Sequence, residues 1–151
     1  MREAFLFGMF EKTREQWLKK LETCPEDKRT VIPAGFNNHL HWQIGHILFV
    51  TDGLIYGLSG NEMRLPASYR TFFGNKTKPS EWTGEAPSWE EILAHLKQQP
   101  EHIRAAFGEK LDAPVKDNFL NAQTVGELLM ANIVHESNHA GTISAMLKAL
   151  H

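Results

Sequence analysis

Apolar residues recur at helical spacing in four stretches of the chain. In residues 2–23, Leu6, Phe10, Trp17 and Leu21 form one stripe with Lys, Arg and Glu elsewhere, and Pro25 ends the segment. After Pro33 and Gly35, the pair Asn37-Asn38 offers side-chain caps for a second helix from about 39 to 58, punctuated by Gly57, Gly60 and Asn61. Ser88-Trp-Glu-Glu91 has the form of a capping box, and Trp89, Ile92, Leu93, Leu96, Ile103, Ala106 and Phe107 keep one face over a third helix, residues 88–107. Pro100 falls inside it and removes the hydrogen bond to residue 96, so a bend or a break is expected there. Thr124-Val-Gly-Glu127 opens a last helix that runs to Leu150. Residues 60–87, with Pro66, Gly74, Pro79, Gly84 and Pro87, show no sustained period and read as a long loop. No stretch shows sustained strand alternation. The expected fold is all-α: a four-helix bundle with a long crossover between helices 2 and 3, one domain over residues 1–151.

Composition narrows the partners. A compact chain of 151 residues buries about 70% of its surface, enough for an ordinary core. Sixteen basic and eighteen acidic residues without a Lys/Arg run leave no electrostatic footprint for nucleic acid or an anionic membrane, so a small molecule or a protein is the expected partner. The segment from Trp42 to Leu58 is the most apolar, yet His46 and Asp52 mark it as a buried helix rather than a membrane span. A single cysteine, Cys24, excludes an internal disulfide and a cysteine-based zinc site, and the N-terminus lacks the pattern of a signal peptide; both fit a cytoplasmic location. Any metal ligands are then histidines and carboxylates.

The last helix carries the chemistry. Its seam reads Val125, Leu128, Asn132, His135, His139, Thr142 and Met146 in steps of three and four, which puts polar side chains in the middle of a core stripe. Eight histidines placed at random give only about 0.4 pairs at this spacing, so position on the seam says more than spacing alone. Buried imidazoles need partners, and two of them one turn apart converge naturally on a cation. Helix two offers a third on the seam His39, Trp42, His46, Phe49 and Gly53, where His46 lies mid-helix among apolar neighbours. His39 and His41 read as capping or surface residues, and His95 and His102 as solvated.

His135-Glu136-Ser137-Asn138-His139 also spells H-E-x-x-H, the pattern in which a glutamate serves as base to zinc-bound water. Only twelve residues follow His139, too few for the downstream third ligand of a zincin, and Gly141 is misplaced for the extended version. Glu136 is retained as a candidate general base or a carboxylate supporting the metal, beside a plain helix–helix hydrogen bond. Asn132, Trp42, Phe49 and Tyr56 lie on the two histidine-bearing seams as candidate substrate contacts, with Tyr69 or Trp82 of the long loop as a cover.

Trp42-Gln-Ile-Gly-His46-Ile, followed about ninety residues later by His135-xxx-His139-Ala-Gly141-Thr-Ile143, resembles the DinB-like/YfiT superfamily of metal-binding four-helix bundles, and the resemblance spans nearly the whole chain. It implies that His46, His135 and His139 bind one divalent metal ion, zinc or nickel foremost, with open positions for water or substrate. It also implies homodimers, a role in stress response, and chemistry of two kinds. Some relatives activate a low-molecular-weight thiol as a cosubstrate, as bacillithiol S-transferases and mycothiol-dependent isomerases do, and others are described as metal-dependent hydrolases. The expectation is an enzyme, a hydrolase or thiol transferase acting on a small molecule, with a non-catalytic metal- or ligand-binding module as the alternative. The scarcity of charge on helices two and four independently suggests a symmetric dimer that buries one or both.

Overall fold

The computed structural model describes all 151 residues and contains five α-helices: α1 (Glu3–Leu21), α2 (Leu40–Asp52), α3 (Ser68–Phe73), α4 (Trp89–Phe107) and α5 (Val125–Ala149). The chain is all-α, with no strand, only an isolated bridge between Pro114 and Thr124. The four long helices close a ring in which α1 packs on α4 and α5, and α2 packs on α4 and α5 from the other side. α3, hidden in the segment expected to be loop, packs on α2. Its six residues, Ser-Tyr-Arg-Thr-Phe-Phe, are too few to show a period, and its aromatic side chains, not its propensity, hold it in place: Tyr69, Phe72 and Phe73 are all buried.

The helix starts follow the sequence closely. The Ser88 hydroxyl accepts from the Glu91 N–H, and the Thr124 hydroxyl from the Glu127 N–H. At α2 the cap is His39 rather than Asn37 or Asn38: its Nδ1 accepts from the Trp42 N–H at 3.1 Å, while the Asn38 carbonyl oxygen is taken by the Gln43 amide. α2 ends earlier than residue 58 as a regular helix, because the chain widens into a π-helical turn over Gly53–Gly57.

Pro100 breaks nothing. α4 runs through it, and the Leu96 carbonyl that Pro100 cannot serve accepts instead from Nη1 of Arg14 at 2.8 Å. Arg14 is 1% exposed and forms the centre of a polar knot joining all four long helices. It makes an ion pair with Glu136 of α5 through Nε and Nη2, and Nη2 also reaches the Gln99 side chain of α4 and the Thr51 hydroxyl of α2. The Trp17 indole N–H completes the shell of Glu136 at 2.8 Å. The knot lies between two apolar clusters, one holding Trp17, Ile44, Ile47, Phe73, Leu96 and Ile143, the other Phe10, Ile55, Ile103, Phe107 and Leu128.

α2 is buried on nearly every side within one chain, with Leu40, Trp42 to Leu48, Thr51 and Asp52 all inside. Its lack of charge matches its burial against α3, α4 and α5. On α5, Met130 and Val134 do remain exposed. No helix is long and apolar enough to cross a membrane.

Candidate metal centre

The turn of α2 that carries His46 is fixed from behind by α3. Gly45 makes this possible: a Cβ there would collide with the Phe73 ring, so only glycine lets α3 approach so closely. The Phe73 carbonyl, at the end of α3, accepts a hydrogen bond from His46 Nδ1 at 2.7 Å. Since a carbonyl can only accept, the Nδ1 carries the proton and Nε2 keeps its lone pair. Trp42 stacks on the His46 ring, with centroids 4.5 Å apart and planes 11° from parallel, and its own N–H is held by the Thr77 hydroxyl.

α5 supplies the other two rings. His139 Nδ1 lies 2.8 Å from the Gln43 carbonyl oxygen, and the amide nitrogen of Gln43 donates to Asn38. Gln43 thus presents an acceptor to His139, which fixes the same tautomer as in His46. His135 has a buried Nδ1 with no hydrogen-bond partner in the protein. Ring centroids of the three histidines lie 4.5 to 5.3 Å apart. Their ligating nitrogens all lie within 4.8 Å of one another. Three nitrogens bound to one tetrahedral ion stand about 3.4 Å apart, so the rings need to draw in by about an ångström to share one.

Electrostatics favours neutral rings. Burial pushes the pKa of His139 down to about 3 from 6.5, helped by the facing His135 and His46; His135 falls to about 4 through burial and then His46. His46 is likewise lowered by burial, against the opposing hydrogen bond to Phe73. Three neutral imidazoles with converging lone pairs repel protons from one another and suit a divalent cation, and the unpartnered nitrogen of His135 is the mark of a donor set made for something other than the protein. The residues fit a metal.

The remaining candidates divide. Glu136, expected as a general base, is 0% exposed and turned to α1, with both oxygens occupied by Arg14, Trp17 and Asn132. A carboxylate so saturated, in a salt bridge, has no free lone pair for a substrate proton, so its role is in the knot. Asn132 belongs there too; it is fully buried and its amide donates to Glu136 at 3.5 Å. Tyr56 lies three turns beyond His46, against Phe107, and lines a separate crevice of about 140 Å³ with Asp52, His95 and His102. His102 is exposed as expected, whereas His95 is half-buried with its ring edge-on to Tyr69. Tyr69 and Trp82 do not cover the histidines: Tyr69 donates to Glu91, and Trp82 donates to the Phe72 carbonyl while packing on His39 and His41. Trp42 lies against His46, while Phe49, one turn further on, lines a groove under Arg70.

Sequence reasoning missed Gln43, Gly45 and Arg14. Arg14 was the most legible, because it fills the vacant place between Phe10 and Trp17 on the α1 stripe. Gln43 and Gly45 sit beside His46 in the Trp42-Gln-Ile-Gly-His46 segment, but nothing local says that one faces His139 and the other Phe73.

The class these features define is an all-helical bundle with three converging histidines that could hold a metal ion. The chain belongs to the DinB superfamily, whose sequence model it matches over residues 9–143. A crystal structure of a conserved protein from Enterococcus faecalis is similar in fold, with a TM-score of 0.69 at 12% identity, covering 99% of this chain and 98% of that one. No curated protein matches the chain.

Proposed function

We propose that the protein is a metal-dependent enzyme in which His46, His135 and His139 hold one divalent ion, zinc or nickel, and present a small molecule to it for hydrolysis or for transfer to a low-molecular-weight thiol. The observation that carries this reading is the convergence of three imidazoles, two of them fixed by Phe73 and Gln43 in the tautomer that directs Nε2 at the others. An ion bound only by neutral ligands keeps its full charge, which makes a water or thiol bound to it acidic enough to act as a nucleophile at neutral pH.

The protein's own part is to hold these rings, exclude water on the α3 side through Trp42 and Phe73, and shield the site from competing protons. Glu136 takes no part in proton transfer; its work is to neutralise Arg14. A homodimer forms in this reading over the exposed Met130 and Val134 face of α5, and light scattering that shows a monomer at micromolar concentration removes that part of the proposal. The test of the site is metal analysis of purified wild type beside His139→Ala, followed by thiol-conjugation and esterase assays on both. One ion per wild-type chain, its loss in the variant, and turnover only by the loaded protein are expected. Equal metal in both overturns the site, and metal without turnover of any thiol or ester reduces it to a binding module.

A further inference from the structure

A groove of about 680 Å³ runs along α2 and the π-helical turn, beginning one turn past His46 at Phe49 and ending at Leu58 and Met63. Its size is that of a small-molecule pocket. The same short segment that braces the histidine site forms its wall: Gly74 follows Phe73, whose carbonyl holds His46, and Thr77 holds the indole of Trp42. The groove and the candidate metal centre thus share this supporting segment, while the three histidines themselves lie outside the groove's lining.

Its floor is made of missing side chains. Gly53 and Gly57, the two ends of the π-helical turn, face the groove, and a Cβ on either would meet nothing closer than Met63 at 3.7 Å. π-turns inserted in α-helices cluster at functional sites, and here the two glycines that bound the turn line one open groove. From Phe49 to Leu58 the helical rise spans about 13 Å, roughly the length of an eight- to ten-carbon chain. The lining is apolar apart from Asn75, Thr77 and a single charged side chain, Arg70. Arg70 lies at the His46 end, its guanidinium 5.9 Å from the centre of the Phe49 ring, and enters no ion pair. The segment 64–80 around it also carries Arg64, Lys76 and Lys78 and no acidic residue. An open, largely apolar groove with a cation outside any ion pair at one end suits an amphipathic anion.

We infer that the groove binds a monomeric amphipathic anion, a carboxylate on an unbranched chain of about eight to ten carbons, with its head at Arg70 beside the His46 turn and its tail along Gly53 and Gly57. This rests on the three-histidine reading for where chemistry occurs and adds the class of molecule held on the next stretch of α2.

The experiment is titration calorimetry on the zinc-loaded full chain with decanoate, butyrate, decanol and decyltrimethylammonium, each below its micelle concentration, with zinc content measured on every sample. Wild type is expected to bind decanoate at least tenfold more tightly than butyrate or decyltrimethylammonium. Gly57→Leu, which fills the tail end, removes the preference for decanoate over butyrate. Arg70→Gln weakens decanoate about tenfold and leaves decanol unchanged, and both variants keep the zinc of wild type. Decanoate binding unchanged in Gly57→Leu and Arg70→Gln, equal binding of the ammonium, or a response to anionic vesicles without one to decanoate overturns the assignment. Groove-dependent decanoate binding in a wild type that holds no zinc supports the groove while removing the metal reading. Zinc at one per chain with no groove-dependent binding does the reverse.

Discussion

His135 and Glu136 are neighbours in sequence, point about 100° apart around α5, and enter two buried polar clusters of opposite character. In the knot around Glu136 every polar atom of Arg14 and both carboxylate oxygens have partners within the protein, and only the Asn132 Oδ1 beside them has none. In the histidine cluster the hydrogen bonds run outward, to Phe73 and Gln43, and the inward nitrogens have only one another. A closed network spends its polar capacity on joining helices, and an open one keeps it for a ligand. Burial and charge alone do not separate the two, since residues of both lie in the core; the direction of the hydrogen bonds does.

The largest effect should come from opening the closed cluster. Glu136→Ala leaves a buried guanidinium without its anion, and a loss of about 3–5 kcal/mol in unfolding free energy is expected by urea titration. A loss under 1 kcal/mol contradicts the account of the knot. If Glu136 were instead a proton acceptor, the same variant would lose turnover without losing stability.

Next comes filling and emptying the open cluster. With free metal a thousandfold above its dissociation constant, wild type should gain about 4 kcal/mol over the chelated protein, and His139→Ala should gain almost nothing. Calorimetric melting with and without chelator reads this directly. Gln43→Ala, which frees His139 to turn, should weaken the metal about 10–100-fold while leaving the chelated protein nearly as stable, a split that competition with a chromogenic chelator resolves. Unchanged affinity shows that Gln43 does not orient the ring.

A graded effect of pH completes the comparison. The pKa values of His39 and His135 fall to about 4 and that of His139 to about 3, from an ordinary value of 6.5, chiefly through burial. Between those values the unfolded chain binds more protons than the folded one, so stability is full above pH 6.5 and declines as the pH falls from 6.5 toward 4. For the chelated protein, urea midpoints at pH 7 and pH 5 should differ, with the lower value at pH 5. A flat profile means that the folded chain takes up protons on these rings as readily as the unfolded one does.

Much of this architecture was legible because it follows from local periodicity. The stripes of α1, α4 and α5, the caps at Ser88 and Thr124, and the i,i+4 pair on a core seam are all written within a few turns of chain. His46 was reachable as well, since a lone imidazole amid an apolar helix stands out. The errors share a cause. Asn38 yielded the cap of α2 to His39 because Gln43 took its side chain, and Tyr56 left the histidine seam because the π-turn shifts the phase of every residue beyond Asp52.

What the sequence determined by itself is the helical bundle and the three residues able to ligate a metal, because hydrophobic phase and side-chain chemistry are properties of each segment. Only the tertiary structure decided that Arg14 would meet Glu136 and the orphaned Leu96 carbonyl, that Gly45 would admit α3, and that Phe73 and Gln43 would set the tautomers of His46 and His139. Those partners lie 27 to 122 residues apart, and their meeting depends on how helices pack across the core rather than on anything a single helix encodes.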